Sequence, residues 1–286
     1  MSSGDRFRGT ESSGAFLRRL KDLRIQGAKE IALRSLLHLR GVAEREGFGR
    51  GFWLLARRME EARPTAAVLH NCLEALREEP GLRSLDALLS QLRDSTRRVA
   101  ASGAPLVRTG AAVLTHCHSG EALSILEEAW RRGRRFSAIA TVTEPVRQGI
   151  RTAKQLRSAG IPVTLVPDPA MGAAVARADL VLVGADALRS RPPAGVVNKI
   201  GTSLLALAAR EHGRPFVVAA SALKMDRRPR LVIEERPPAE VHRRLAGVRV
   251  FNPAFDVTPW ERVSRVVTEE GVRTPAAVVR RLRELR

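Results

Sequence analysis

Residues 111–126 read Ala-Ala-Val-Leu-Thr-His-Cys-His-Ser-Gly-Glu-Ala-Leu-Ser-Ile-Leu. The apolar run at 111–114 predicts a buried strand, and the apolar spacing at 122–126 predicts a helix. Cys117 therefore lies where a strand ends and a helix begins. A helix N-terminus carries partial positive charge that favours a thiolate, and ligands of open α/β sheets bind at the carboxyl ends of strands. This placement makes Cys117 a candidate reactive group, although a lone cysteine is also often a small buried apolar residue.

Short β-rich runs alternate with helical segments from residue 105 onward, after the Ala-Ser-Gly-Ala-Pro stretch at 101–105. The predicted strands are 112–115, 136–142, 163–166, 180–183 and 216–219, and the predicted helices between them centre on 122–130, 149–158, 173–176 and 203–210. This alternation predicts a parallel sheet with helices on both faces, and hence a Rossmann-like domain over 105–286. No Gly-x-Gly-x-x-Gly motif follows the first strand, so the topology does not imply a dinucleotide.

The first third of the chain has a different texture. Between residues 15 and 104, apolar residues recur every three or four positions and no strand pattern appears, which predicts a helical N-terminal domain. Residues 1–14 are polar and rich in serine and glycine, and they predict a disordered tail. The predicted fold class is therefore α/β, with a helical N-terminal domain followed by a Rossmann-like parallel-sheet C-terminal domain.

The chain is strongly basic, with a formal net charge of +19. Lysine accounts for only five of the 49 basic residues, tyrosine is absent and aromatic residues make up 4% of the sequence. Dispersed arginines without stacking aromatics are typical of ordinary surfaces in a protein from a GC-rich genome, and they argue against specific nucleic-acid binding. No long uncharged apolar run predicts a membrane span. Two cysteines form no disulfide framework, so a cytoplasmic location is expected.

Candidate catalytic and ligand-binding residues cluster at the predicted strand ends of the second half of the sequence. Cys117 follows the first strand, Asp186 follows the fourth, Asn198 and Lys199 precede a predicted helix, and Lys224 follows the strand at 216–219. A thiolate and a carboxyl group form a base–acid pair. Two lysines and an amide beside a helix N-terminus form a phosphate site. Each residue also has an ordinary interpretation, because an aspartate can cap a turn and a lysine can be a surface cation.

The two histidines that flank Cys117 do not indicate a metal site. His116, Cys117 and His118 are consecutive, so their side chains alternate between opposite sides of an extended chain and cannot all ligate one ion. No Cys-x-x-Cys or His-x-x-x-His accompanies them. We therefore expect no metal.

Four stretches together resemble one known family. They are Thr-His-Cys-His-Ser at 115–119, Gly-Ala-Asp at 184–186, Asn-Lys-Ile-Gly-Thr-Ser at 198–203 and Asn-Pro-Ala-Phe-Asp-Val-Thr-Pro at 252–259. The family comprises archaeal ribose-1,5-bisphosphate isomerases, methylthioribose-1-phosphate isomerases and the regulatory subunits of translation initiation factor 2B. The resemblance is strongest from about residue 106 to 275. It implies the two-domain architecture above and a homodimer or homohexamer.

The resemblance also implies an activity and a site. Within the family, the isomerases use a cysteine and an aspartate, which fall here on Cys117 and Asp186. The implied substrate contacts are Gly27, Ala28, Arg63, Asn198, Lys199 and Lys224. The expected reaction is the isomerisation of ribose 1,5-bisphosphate to ribulose 1,5-bisphosphate without a cofactor, with a nucleotide as a candidate activator. Asp186 is expected to be protonated, with a raised pKa, and Cys117 to act as the thiolate.

Two departures from the family pattern leave alternatives open. The loop that usually reads Arg-Gly-Ala-Gly is Gln-Gly-Ala-Lys at 26–29, and the usual Glu-Thr-Arg-Pro is Val-Thr-Glu-Pro at 142–145. Loss of two arginines favours an isomerase of another sugar 1-phosphate, such as methylthioribose 1-phosphate. A second alternative is a non-catalytic regulatory subunit that binds a nucleotide or sugar phosphate. Such a protein has no need to keep the Cys117/Asp186 pair, so the pair favours an enzyme.

Overall fold

The computed structural model describes residues 11–243 and 247–285, which divide between Leu92 and Arg93 into two compact units. Of the predicted tail, residues 1–10 lie outside the described residues. The tail prediction is wrong for its last residues, because helix α1 begins at Ser13. The Ser12 hydroxyl accepts a hydrogen bond from the backbone N–H of Ala15, and this cap starts the helix.

Among the described residues, five α-helices precede the first strand. They are α1 (Ser13–Lys21), α2 (Ala28–Glu46), α3 (Arg50–Ala62), α4 (Ala67–Glu78) and α5 (Leu82–Gly103). The division between the units lies within α5 and not at residue 104. The reason is that Val99, near the end of α5, joins Ala104 and Val107 in an apolar cluster of the second unit.

The second unit alternates strands and helices. The strands are β1 (Ala112–Thr115), β2 (Ser137–Thr141), β3 (Val163–Val166), β4 (Leu180–Gly184), β5 (Ala187–Arg189), β6 (Gly195–Lys199), β7 (Phe216–Ala219), β8 (Met225–Asp226), β9 (Phe255–Thr258), β10 (Arg265–Thr268) and β11 (Gly271–Arg273). The helices are α6 (Gly120–Arg131), α7 (Gln148–Ser158), α8 (Met171–Ala176), α9 (Thr202–Glu211) and α10 (Pro275–Glu284). All five predicted strands and all four predicted helices are present, within one or two residues of the predicted bounds for the strands.

The main sheet has seven strands in the order β11-β10-β7-β4-β1-β2-β3. All its strand pairs are parallel except β10 with β11. From β1 the chain proceeds outward through β2 and β3, and then returns to the other side of β1 to form β4. The order therefore reverses between β1 and β4, and in open α/β sheets the crevice at such a reversal is where ligands bind.

Apolar side chains cover both faces of the main sheet. In β1, Val113 enters one apolar cluster and Leu114 enters the other. In β4, Leu182 and Val183 divide in the same way. The first cluster packs under α6 and α7, and the second under α8, α9 and α10. Burial on both faces explains why these strands read as continuous apolar runs rather than alternating ones.

A second sheet, with the order β8-β5-β6-β9, was not predicted from the sequence. Residues 187–197 contain Pro-Pro-Ala-Gly and form the antiparallel hairpin β5–β6. The hairpin places Asn198 and Lys199 within a strand, and the following helix begins only at Thr202. The whole is a mixed α/β fold. Among the described residues, no helix combines the length and apolar character that crossing a membrane requires.

Candidate active site

Cys117 lies between β1 and α6 in an unusual backbone conformation. Its φ angle is 69°, in the left-handed region that residues with a Cβ rarely adopt. Such a conformation costs about 1–3 kcal/mol and persists only where neighbouring contacts enforce it. Helix α6 then begins at Gly120, with the Ser119 hydroxyl accepting from the N–H of Ala122. The strand-to-helix turn predicted for Cys117 is confirmed.

Three hydrogen bonds hold Cys117 on different sides. Its backbone N–H donates to Thr143 Oγ1 at 2.9 Å, and its carbonyl accepts from Thr152 Oγ1 at 2.7 Å. Its Sγ donates to Gln148 Oε1 at 3.3 Å. Gln148 is the first residue of α7, and Gly149 follows it so close to β2 that an added Cβ would lie 1.6 Å from the Thr141 carbonyl oxygen. Only glycine permits this approach, which brings α7 up to the cysteine.

The loop after β2 is held in turn by Asp168. The carboxylate of Asp168 accepts the backbone N–H of Thr143 at 2.8 Å and that of Glu144 at 2.6 Å. Asp168 comes shortly after β3, so it belongs to the same carboxyl edge of the sheet as Cys117. The loop that carries two partners of the cysteine is therefore fixed by a side chain from the neighbouring strand end.

The Cys117 thiol has a raised pKa. Burial raises its pKa to about 11, and the negative charges of Asp186 and Asp168 raise it further. The positive charge of Lys199 and a backbone hydrogen bond from His118 lower the pKa, but by less than burial raises it. The pKa of Cys117 is therefore raised and not lowered as its place at the helix N-terminus led us to expect, because desolvation outweighs the favourable field.

Asp186 and Lys199 both interact electrostatically with the Cys117 thiol. Asp186 lies between β4 and β5 and is partly exposed, and its backbone N–H donates to the Val197 carbonyl at 2.8 Å. Lys199 ends β6 and is only 7% exposed, with its Nζ 5.1 Å from the centre of the Phe255 ring. The structure therefore brings together three of the predicted site residues, at the point where the strand order reverses.

Asn198 precedes Lys199 in β6 and faces the start of α9. Its Nδ2 donates to Thr202 Oγ1 at 2.9 Å, and that hydroxyl donates to the Lys199 carbonyl at 2.6 Å. Asn198 is 4% exposed. These contacts fix the backbone around Lys199.

The N-terminus of α9 is occupied by a carboxylate of the protein. Asp256 Oδ2 accepts the N–H of Gly201 at 2.8 Å and that of Ser203 at 3.1 Å. Burial raises the pKa of Asp256 to about 6, against the lowering effect of these two hydrogen bonds. The sequence predicted that this helix terminus would join a phosphate site. Asp256 therefore pairs with two N–H groups that an anion at this terminus would use, and the phosphate contact there stays a prediction.

Lys224 is also paired within the protein. Its Nζ lies 2.7 Å from Glu121 Oε1, and each of the two side chains is 4% exposed. Glu121 lies in the first turn of α6, four residues after Cys117, and Lys224 follows β7. The pair has no net charge, so Lys224 does not present a free cation to a phosphate in this state.

The predicted contacts Gly27, Ala28 and Arg63 belong to the first unit. Gly27 has a φ angle of 86° and precedes α2, whose first residue is Ala28. Arg63 follows α3 and is 3% exposed, and its Nη1 donates to the Ile25 carbonyl at 2.6 Å. The structure thus brings Arg63 to the segment that carries Gly27 and Ala28.

At the two positions where the family pattern usually has arginine, this chain has Gln26 and Glu144. Glu144 pairs with Arg147 at 2.9 Å, and both side chains are exposed. Gln26 Nε2 donates to the Leu23 carbonyl at 3.0 Å.

Sequence reasoning missed the partners of the cysteine, namely Thr143, Gln148, Thr152 and Asp168, and the partner of Lys224, Glu121. Thr143 and Asp168 follow predicted strands, so the strand-end rule that selected Asp186 had a signal for them. Gln148 and Thr152 lie in α7 and had none. Among the described residues, no group of three or more His, Cys, Asp or Glu could hold a metal ion.

Comparison with known proteins assigns the family. A sequence profile of the initiation factor 2 subunit family, IF-2B, matches residues 24–275. The chain belongs to this family. The match spans both compact units and includes the site residues described above.

Relatives in the family include isomerases and a protein described as a translation factor. Ribose 1,5-bisphosphate isomerase of Archaeoglobus fulgidus is 34% identical over 277 residues, which cover 90% of this chain and 88% of that protein. 5-Deoxyribose 1-phosphate isomerase of Moorella thermoacetica is 36% identical over 297 residues, covering 90% and 84%. The solved structure of the Pyrococcus horikoshii translation initiation factor eIF-2B has a TM-score of 0.83 at 30% identity, covering 93% of this chain and 98% of that one.

Proposed function

We propose that this protein is a phosphosugar aldose–ketose isomerase that converts ribose 1,5-bisphosphate to ribulose 1,5-bisphosphate. The observation that carries the proposal is the Cys117/Asp186 pair. The two residues follow β1 and β4, where the strand order reverses, and the charge of Asp186 acts on the Cys117 thiol. The names of the isomerase relatives support the same class of reaction.

Asp186 and Cys117 divide the proton transfers in this proposal. The phosphate on C1 blocks the free aldehyde that ordinary sugar isomerases use, so ring opening needs help. A protonated Asp186 gives its proton to the ring oxygen as the bond from that oxygen to C1 breaks. The Cys117 thiolate removes the C2 proton to form a C1=C2 enol and delivers that proton to C1, while the C2 hydroxyl proton passes to Asp186.

A hydride shift is the other route that fits the same residues. Hydride moves from C2 to C1 while Cys117 accepts the C2 hydroxyl proton, and one proton then passes from Cys117 to Asp186 to restore both groups. Both routes begin from a thiolate and a protonated carboxyl group. Moving one proton from Cys117 Sγ to the Asp186 carboxylate creates that state. Neither route calls for a cofactor, because every proton or hydride moves within the substrate or between it and these two side chains.

Substrate contacts are assigned by the family pattern and supported by burial and charge. Lys199 is the cation that acts on Cys117, so we assign it to the phosphate nearest the reacting carbons. The other proposed contacts are Gly27, Ala28, Arg63, Asn198 and Lys224. Lys224 differs from Lys199, because it must first separate from Glu121 before it binds an anion.

The finer architecture, assembly and location belong to the same proposal. We infer a helical domain that ends within α5 and a Rossmann-like domain that follows it, which the helices α1 to α5 and the mainly parallel main sheet support. A homodimer or homohexamer and activation by a nucleotide remain predictions from the family resemblance, and a cytoplasmic location remains the prediction from the two cysteines. Size-exclusion chromatography with light scattering measures the assembly directly.

Two other functions remain as candidates, each with its own support. The likeness to the Pyrococcus structure described as a translation initiation factor favours a regulatory subunit, which needs neither Cys117 nor Asp186. The Moorella relative, together with Glu144 and the neutralised Lys224, favours a sugar 1-phosphate without a second phosphate.

A substrate panel separates these candidates. The purified protein is incubated with ribose 1,5-bisphosphate, 5-deoxyribose 1-phosphate and methylthioribose 1-phosphate, and ketose formation is followed by NMR. We expect the highest kcat/KM with the bisphosphate. A higher kcat/KM with either monophosphate identifies the alternative enzyme, and ligand binding without turnover of any substrate identifies the regulatory protein.

A further inference from the structure

His116 is a buried histidine for which the proposed chemistry has no use. It is 1% exposed and immediately precedes Cys117. Its Nδ1 lies 2.6 Å from Thr141 Oγ1, and its Nε2 lies 2.8 Å from the Ile200 carbonyl oxygen. The ring therefore spans from the end of β2 to the loop between β6 and α9.

The direction of each hydrogen bond follows from what each atom can donate. A carbonyl oxygen only accepts, so Nε2 carries the hydrogen. Burial lowers the pKa of His116, while Asp168 raises it and Lys199 lowers it, so the ring is neutral and Nδ1 accepts from the Thr141 hydroxyl. Thr141 Oγ1 lies 3.1 Å from Thr143 Oγ1. Because the hydrogen of Thr141 is already used, the Thr143 hydroxyl donates to acceptors on Thr141, namely Oγ1 at 3.1 Å and the more distant carbonyl oxygen at 3.4 Å.

The chain of hydrogen bonds ends at the cysteine. Thr143 Oγ1 accepts the backbone N–H of Cys117. The hydrogen bonds therefore run in one direction, from Cys117 through Thr143, Thr141 and His116 to Ile200. Each donor in this series has an acceptor.

Each end of the chain fixes a backbone segment that the proposed reaction uses. At one end, Cys117 is held with its φ angle of 69°. At the other end, Ile200 directly follows Lys199 and precedes Gly201, whose φ angle is 100°. An added Cβ at Gly201 would lie 3.2 Å from both Cε1 and Nε2 of His116. The ring thus contacts the backbone beside Lys199 through a hydrogen bond and through close packing.

We propose that His116 is a positioning residue that sets Cys117 relative to Lys199 through the hydroxyls of Thr141 and Thr143. Its effect on turnover rests on the proposed isomerase function. The geometry of the hydrogen-bond chain does not depend on that function. Turnover and hydrogen-bond geometry are therefore tested by separate measurements.

Two substitutions at Thr141 separate the hydrogen bond from the packing. Thr141→Val keeps the shape of the side chain and removes the hydroxyl, whereas Thr141→Ser keeps the hydroxyl. We expect Thr141→Val to lower kcat about 10- to 100-fold with little change in KM, as for a misplaced catalytic group, and Thr141→Ser to retain most of the parent kcat. Thr268→Val, in a buried strand residue away from the chain of hydrogen bonds, is the matched control and should keep the parent kcat.

A double-variant cycle tests whether the residues act as one unit. His116→Phe keeps a ring but donates and accepts no hydrogen bond. Combined with Thr141→Val, it should lower kcat no further than the more damaging single variant, because either change already interrupts the chain. Effects that multiply would overturn the proposal, as would a Thr141→Val variant with the parent kcat.

Two measurements need no substrate. Hydrogen exchange at the Cys117 amide should be about tenfold faster in Thr141→Val, as for the loss of an ordinary hydrogen bond, with the Leu114 amide of β1 unchanged. In ¹⁵N-histidine NMR of the parent, His116 should carry its hydrogen on Nε2. Hydrogen on Nδ1, or unchanged Cys117 exchange in the variant, would overturn the proposal. If the parent lacks turnover, the isomerase function fails while these measurements still decide the role of His116.

Discussion

The reactivity of Cys117 gives the sharpest test of how this site is built. With a pKa of about 11, only about 10⁻⁴ of the thiol is ionised at pH 7, compared with about 3% for an unperturbed cysteine of pKa 8.5. The thiolate is the attacking species, so the reaction rate of Cys117 should rise about tenfold for each pH unit between 7 and 10. An unperturbed thiol would instead approach a plateau near pH 9.

The assay uses a dipyridyl disulfide, which releases a coloured product as it reacts. Cys72 is fully buried and its pKa is raised to about 12, so the measurement is made in a Cys72→Ala background in which Cys117 is the remaining thiol. Limited access lowers the rate at every pH equally and leaves the slope unchanged. The slope therefore reports the pKa independently of exposure.

Two variants should move the rate in opposite directions. Lys199→Met removes a charge that lowers the Cys117 pKa, and Asp186→Asn removes one that raises it. A shift of one pKa unit changes the thiolate population tenfold, but the more basic thiolate is also the better nucleophile, so the net change is about threefold per unit. We expect Lys199→Met to react more slowly and Asp186→Asn faster at pH 8. A rate that levels off below pH 9, or variants that move together, would refute this account of the thiol.

Three further outcomes follow from other contacts. Asp186→Asn cannot release a proton, so kcat for the phosphosugar should fall about 10²–10⁴-fold with substrate affinity retained, as measured by steady-state kinetics and calorimetry; parent turnover would remove Asp186 from the mechanism. Lys224→Met leaves Glu121 buried without its cation and should destabilise the fold by about 3 kcal/mol, and adding Glu121→Gln should recover most of this in urea unfolding; no recovery would mean that the pair is not the cause. The folded-state pKa of Asp256 is raised to about 6. The free energy of unfolding of the parent should therefore fall by up to about 3 kcal/mol relative to Asp256→Asn as the pH rises from 4 to 6, and it should not fall further above pH 6. A difference in urea midpoint that does not vary with pH would contradict this.

The free energy of unfolding should fall with rising pH because the pKa of Asp256 is raised in the folded protein. A carboxyl group whose pKa is higher in the folded than in the unfolded state favours folding only while it is protonated. As the pH rises through the unfolded pKa near 4, the unfolded chain releases its proton and its free energy falls. The folded protein, whose carboxyl group is still protonated, is not stabilised in this way, so the free energy of unfolding decreases. Above the folded pKa both states are ionised, so the difference becomes constant. Asparagine does not titrate and serves as the reference.

Strands β1, β2, β4 and β7 of the main sheet were predictable because they are largely buried, whereas β10 and β11 were not predicted. Runs such as those at 112–115 and 180–183 are apolar at every position, and the helices between them carry apolar residues at helical spacing. The hairpin β5–β6 was not predictable by the same rule. Its strands are short and separated by Pro-Pro-Ala-Gly, and it is stabilised by pairing with β8 and β9 from distant parts of the chain.

The membership of the site was partly predictable as well. Cys117 and Asp186 follow strands that the sequence reveals, and parallel strands end at a common edge, so their proximity could be expected. Lys199 reaches the same place from within β6, a strand of the second sheet. Gln148 and Thr152 contact the cysteine only because α7 approaches the end of β2 at Gly149.

The amino-acid sequence is enough to show which groups are available: a thiol and a carboxylate after two strands, a lysine before a helix and a lysine after a third strand. Their chemical state depends on the folded environment. Burial keeps the Cys117 thiol protonated, Glu121 neutralises Lys224, and Asp256 takes the helix terminus that a phosphate was expected to use. Residue type and local spacing are written along the chain, whereas desolvation and charge pairing depend on which distant atoms surround each group, and that is set only when the chain folds.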